Sequence, residues 1–263
     1  QQAKRKRPWT ASVFADHRGS QRQYRDHAKS KNILHKFTNK GVRMNIQNEL
    51  EAFKKSLQTL DLREISNDGV KNVAFICIDM IEAFAGSGAL SSQRVAALSK
   101  GIATLFDRAW KDFGFRNFIL IEDRHTSDSK EFENFLPHAI LDTNEIKTVK
   151  EIENLSFFKE IKAFYKNSLS IAFNKEFEKF LEEHPELDTF IVTGDCTDMC
   201  VYQCVSYLKL RANEYNKKAR VIVPFDLTQT YDIPGHNGDF YHEMFSLHMK
   251  LALGADVVKS IKF

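Results

Sequence analysis

The chain has 263 residues, 43% of them hydrophobic, and a formal net charge of +3, which is length and apolar content enough for a domain with a large buried core. Four cysteines are too few for a disulfide scaffold, and no apolar run approaches the roughly 18 residues that a membrane helix needs. A disulfide-stapled module and a membrane span are thereby excluded, and with no apolar signal region in view the expectation is a soluble, cytoplasmic protein.

The charge is uneven. Residues 1–43 hold twelve Lys and Arg, from KRKR at 4–7 to Arg43, against Asp16 and Asp26, so this stretch is about +10 and the remainder about −7. An Arg-rich, acid-poor run suits nucleic acid or a targeting role. Because Met44 is the first methionine, the preferred reading is a flexible or vector-derived basic extension over 1–43, with nucleic acid not expected as a partner. A single domain is then expected over 44–263.

From residue 45 the pattern is regular. Apolar residues at helical spacing predict a helix over 45–60, and the nearly continuous apolar NVAFICID (72–79) predicts a buried parallel strand. Helix is predicted for 91–114, with Ser at its start and Gly at its end, strand for 116–123, and helix for 174–184. Then follow strand 188–194, helix 197–216, strand 219–226, helix 239–254 and a last strand at 255–260. Strands alternating with helices predict an α/β fold, three layers α/β/α around a mostly parallel central sheet with right-handed crossovers.

In such sheets ligands bind beyond the carboxyl ends of the strands. The strand ends here carry Asp79, then Asp123 with His125, then the GDCTDMC stretch, then Asp226. No glycine-rich phosphate loop follows a strand, so no nucleotide cofactor is expected. The stretch TGDCTDMCVYQC (193–204) spaces Cys196, Cys200 and Cys204 by four. A structural zinc would draw paired ligands from two segments, and no second such pair stands elsewhere; core packing is the bland alternative. A nucleophile is the sharper one. Cys200 falls in the first turn of a predicted helix that Thr197 or Asp198 is placed to cap, a setting that lowers a thiol's pKa and stabilises an oxyanion. A base would come from another segment, with Asp79 the candidate. His236, in the turn-like GHNGD (235–239), is a candidate neighbour of the pocket.

Four segments, ICIDMIEAF (76–84), EDRHTSDSKEFENFLPHAI (122–140), KNSLSIAF (166–173) and VTGDCTDMCV (192–201), occur in the order seen in isochorismatase-like cysteine hydrolases. Over roughly 70–260 the chain resembles that superfamily, and its nicotinamidase branch most. The resemblance implies a catalytic set of Asp79, Lys166 and Cys200, and a cis peptide at Asp195–Cys196 that aims backbone N–H groups at the oxyanion. It implies a divalent metal, zinc first with iron or manganese as alternatives, on Asp123, His125, His138 and a glutamate, Glu131 rather than Glu133, and Phe84 against the substrate ring. It further implies a small-molecule amide substrate, nicotinamide first, a place in NAD salvage, and a homo-oligomer. Two departures stand out: the Gln usual after the first motif's Asp is replaced by Met80, Ile81 and Glu82, and the small apolar residue usual before the cis bond is Asp195. The alternatives are another amide or N-carbamoyl substrate and, from a different class, a non-catalytic module that binds a partner through the basic segment.

Overall fold

The computed structural model describes residues 45–67 and 69–263; the basic extension expected over 1–43 lies outside them. Six parallel strands form the main sheet: β1 (Val73–Ile78), β2 (Asn117–Asp123), β3 (Lys162–Lys166), β4 (Thr189–Asp195), β5 (Arg220–Pro224) and β6 (Asp256–Val258). Their order is β3-β2-β1-β4-β5-β6, and the short Thr228–Gln229 pairs with the end of β4. The chain builds outward from β1 to β3, then crosses back to β4 and builds the other way. The order therefore reverses between β1 and β4, and at such a point a crevice opens beyond the strand ends.

β1 is buried along its whole length because helices cover both faces of the sheet. Its side chains alternate between two apolar clusters, Val73, Phe75 and Cys77 in one and Ala74, Ile76 and Ile78 in the other. The first cluster takes the apolar face of α2 (Leu98–Phe113), through Ile102, Leu105 and Phe106. The second takes α1 (Ile46–Ser56), α3 (Lys175–Glu183), α4 (Cys200–Glu214) and α5 (Gly238–Ala252), through residues such as Phe53, Phe177, Val201, Val205 and Met249. Fully burying each large apolar side chain is worth about 1.5–3 kcal/mol.

The differences from the sequence reading are local. The helix expected over 91–114 is divided into Gln93–Ala96 and α2, and that expected over 45–60 ends at Ser56. β3 was not predicted. Its five residues, Lys-Ala-Phe-Tyr-Lys, alternate exposed and buried at the sheet edge, a pattern too short and too charged to stand out. Leu60–Asp61 pairs with Ile261–Lys262 in a separate two-stranded sheet. No helix among the described residues is long and apolar enough to cross a membrane.

Candidate active site

Asp79 follows β1 directly and has a left-handed backbone, φ 51°, which turns its buried carboxylate into the crevice. Its N–H donates to the Ile121 carbonyl at 2.8 Å, and its Oδ1 accepts the Asp123 N–H at 2.7 Å, tying the ends of β1 and β2 together. On the other side, Gly194 lets β4 close on β1: its φ is 105°, and a Cβ there would meet the Ile78 carbonyl oxygen at 2.1 Å, which forbids any side chain. The Asp195–Cys196 bond that follows is cis.

Register places Lys166, the last residue of β3, opposite Asp123. Its ammonium lies 2.8 Å from Asp79 Oδ2, 2.5 Å from Asp123 Oδ1 and 3.4 Å from Cys200 Sγ. The structure thus brings Asp79, Lys166 and Cys200 together, with Lys166 only 4% exposed. Burial alone would lower the lysine's pKa; the charges of Asp123 and Asp79 outweigh it and hold the ammonium well above its usual range. Burial, helped by the charge on Asp123, pushes Asp79 up to about 7 against the pull of Lys166. Asp123 is held below its usual range, the pull of Lys166 and His125 exceeding the cost of burial.

Cys200 departs from expectation. It is the first residue of α4, yet burial pushes its thiol well above the usual range, with Lys166 pulling only partly against it. The resting sulfur keeps its proton. Neither Thr197 nor Asp198 caps the helix: the cap position is Met199, without a side-chain bond. Thr197 Oγ1 instead shares a hydrogen bond with His242 Nδ1 at 2.8 Å, and Asp198 Oδ2 lies 2.8 Å from His236 Nε2.

Beside this corner, Asp123, His125, Glu131 and His138 converge, one donor atom from each within 4.8 Å of the others. The imidazole Nε2 atoms stand 3.6–4.0 Å from Asp123 Oδ2 and Glu131 Oε1, slightly wider than the about 3.4 Å between ligands of a tetrahedral ion with bonds of about 2.1 Å. His125 Nδ1–H donates to Asn167 Oδ1 at 2.9 Å and His138 Nδ1–H to the Leu136 carbonyl at 2.7 Å, which fixes the tautomer that leaves each Nε2 lone pair inward. His125 Nε2 and Glu131 Oε1 are buried with no hydrogen-bond partner. Orphaned donors of this mixed N and O set fit a divalent ion such as zinc, iron or manganese. Glu133 is turned out to Lys130 at 3.2 Å on the surface. A second possible donor group, Asp79, Asp123 and Cys200, already holds the Lys166 ammonium.

A cavity of about 730 Å³ joins the two corners and is lined by Asp79, Cys200, His138, Phe84 and Asp195, among others. The Phe84 ring lies 5.3 Å from that of His138. His236 does not line it. It is stacked between Tyr231 and Tyr241 at 4.0 and 4.1 Å, with its Nε2 on Asp198, which does not line the cavity either. Asp226, on the turn after β5, is also outside the lining. Sequence reasoning missed Asn167, Leu169, Met199, Tyr231 and Ile233. Asn167 had a signal, since it follows Lys166 directly; the apolar lining residues had none.

A family model described as the isochorismatase domain matches residues 73–257. No curated protein matches the chain. Among solved structures, a pyrazinamidase/nicotinamidase from Streptococcus mutans superposes with TM-score 0.58 at 23% identity, covering 71% of this chain and 99% of that one. An N-carbamoylsarcosine amidase from Thermoplasma acidophilum gives 0.57 at 18%, covering 73% and 98%. A protein from L. infantum in complex with nicotinate gives 0.58 at 17%, covering 74% and 96%. At these identities the likeness is one of fold.

Proposed function

The chain belongs to the isochorismatase family of hydrolases, and from that premise we propose that it is a cysteine-dependent amidohydrolase that converts a ring-bearing primary amide, nicotinamide first, into the carboxylic acid and ammonia. The observation that carries this is the Lys166 ammonium within 3.4 Å of Cys200 Sγ and 2.8 Å of Asp79. It offers one counter-charge to whichever of the two has lost its proton.

The steps follow from the proton inventory. Asp79, poised near neutrality, takes the Cys200 proton as sulfur attacks the amide carbonyl, so no free thiolate is needed beforehand. The C–S bond forms, and the developing oxyanion is served by the N–H groups of Cys196 and Cys200, the latter at the start of α4. Asp79 returns the proton to the nitrogen, the C–N bond breaks and ammonia leaves. Water then attacks the thioester, giving its proton to Asp79, and the acid departs as Cys200 is reprotonated. Lys166 stays charged throughout and offsets the negative charge of its neighbours. Asp123, His125, Glu131 and His138 are the residues that would hold a divalent ion; when bound, such an ion supplies a Lewis-acid contact for a ring nitrogen of the substrate. Phe84 packs the ring beside it.

The test is ammonia release from nicotinamide by metal-loaded protein, with Cys200→Ala and a chelator-treated sample alongside. Release that disappears in both controls supports the reading. No release from the loaded protein sinks nicotinamide as substrate.

A further inference from the structure

The mechanism above uses Asp79, Asp123, Glu131, Lys166 and Cys200, but not the carboxyl of Asp195. That residue ends β4 at the point where strand order reverses, is 1% exposed, and lines the same cavity as Cys200 and Phe84. Its Oδ2 accepts the Cys196 thiol at 3.3 Å. Its Oδ1 is buried without a hydrogen-bond partner, a polar atom that is costly to leave unmet.

Charge points the same way. Burial, reinforced by the charge on Asp79, pushes the Asp195 carboxyl well above its usual range; with the Lys166 ammonium taken up by Asp79 and Asp123, a donor brought by the ligand is what would favour its charged, accepting form. Arg94, which also lines the cavity, is spent on Gln229, the Thr230 carbonyl and Asp239. A bare aromatic ring against Asp195 would seal the orphan oxygen in, whereas an N–H group would satisfy it. The nitrogen of the scissile amide is served by Asp79, so the donor must stand elsewhere on the molecule.

We propose that Asp195 is a specificity-determining residue whose carboxyl accepts a hydrogen bond from a second N–H donor on the substrate. The preferred substrates are then primary amides that also carry an amino or ammonium group on the ring. This rests on the amidohydrolase reading and narrows its substrate, because a site built to bond a donor rejects the analogue that lacks it.

Matched pairs test it: nicotinamide against its amino-substituted isomers, and benzamide against the aminobenzamides. In the wild-type protein at least one amino isomer is expected to exceed its parent about tenfold or more in kcat/KM. In Asp195→Ala that ratio falls to near one; Asp195→Asn, of the same shape and with an acceptor oxygen, keeps part of it. Calorimetric binding of the same pairs to Cys200→Ala reads the preference without turnover. Parents and amino isomers turned over and bound equally by wild-type protein overturn the proposal and leave the amidohydrolase standing. Release from no amide, with the binding preference intact, overturns the amidohydrolase reading and keeps Asp195 as the selecting group. Neither release nor preference overturns both.

Discussion

Two corners of one cavity share Asp123 but differ in how their charges are met. At the nucleophile corner the charges of Asp123 and Asp79 are met by Lys166 in ion pairs of 2.5 and 2.8 Å. At the donor corner His125 Nε2 and Glu131 Oε1 face inward with nothing to bond. At the first corner the counter-charge is part of the chain itself, whereas the second presents unpartnered nitrogen and oxygen atoms to whatever the cavity receives.

The strongest test of the first corner is Cys200→Ala, for which ammonia release falls by about 10⁴-fold or more while the fold, followed by thermal unfolding, persists. Lys166→Met is next. It strands two buried carboxylates and costs on the order of 3–5 kcal/mol in denaturant titration; the loss is smaller in metal-loaded protein, because Asp123 then has another cation beside it. Equal losses with and without metal would mean that the corners are not coupled through Asp123.

The third prediction concerns the loop that carries the nucleophile. Burial holds His242 down at about 4, below the ordinary histidine value of about 6.5. Between those values the unfolded chain binds a proton that the folded one refuses, so stability is level above pH 6.5 and falls as pH drops toward 4, by about 3 kcal/mol in all. His242→Gln flattens that fall, as urea titrations at pH 7 and pH 4 would register. The smallest effect belongs to the donor corner. Asn167→Ala frees the His125 ring and weakens metal affinity by about 10–100-fold, read by competition with a chromogenic chelator, with little change in apo stability.

How much of this was legible depends on how local the cause was. Asp79, Asp123 and Cys200 follow apolar runs, so strand-end logic finds them before any resemblance is considered. Lys166 is different: its strand is five residues at a sheet edge, and only the ordered motifs singled it out. The start of α4 was misplaced because Thr197 and Asp198 look like caps from sequence, while their side chains are claimed by His242 and His236, 45 and 38 residues away. The same non-locality hid the thiol's environment. A helix N-terminus argued for a low pKa, but the depth of the crevice, which no local spacing reveals, reverses the direction.

The most direct measurement of the central claim is mass spectrometry of acid-quenched protein during turnover of an amide. The account predicts an acyl adduct on the peptide bearing Cys200, absent from Cys200→Ala. Turnover that continues in Cys200→Ala, or an adduct carried by Cys196 instead, would contradict it.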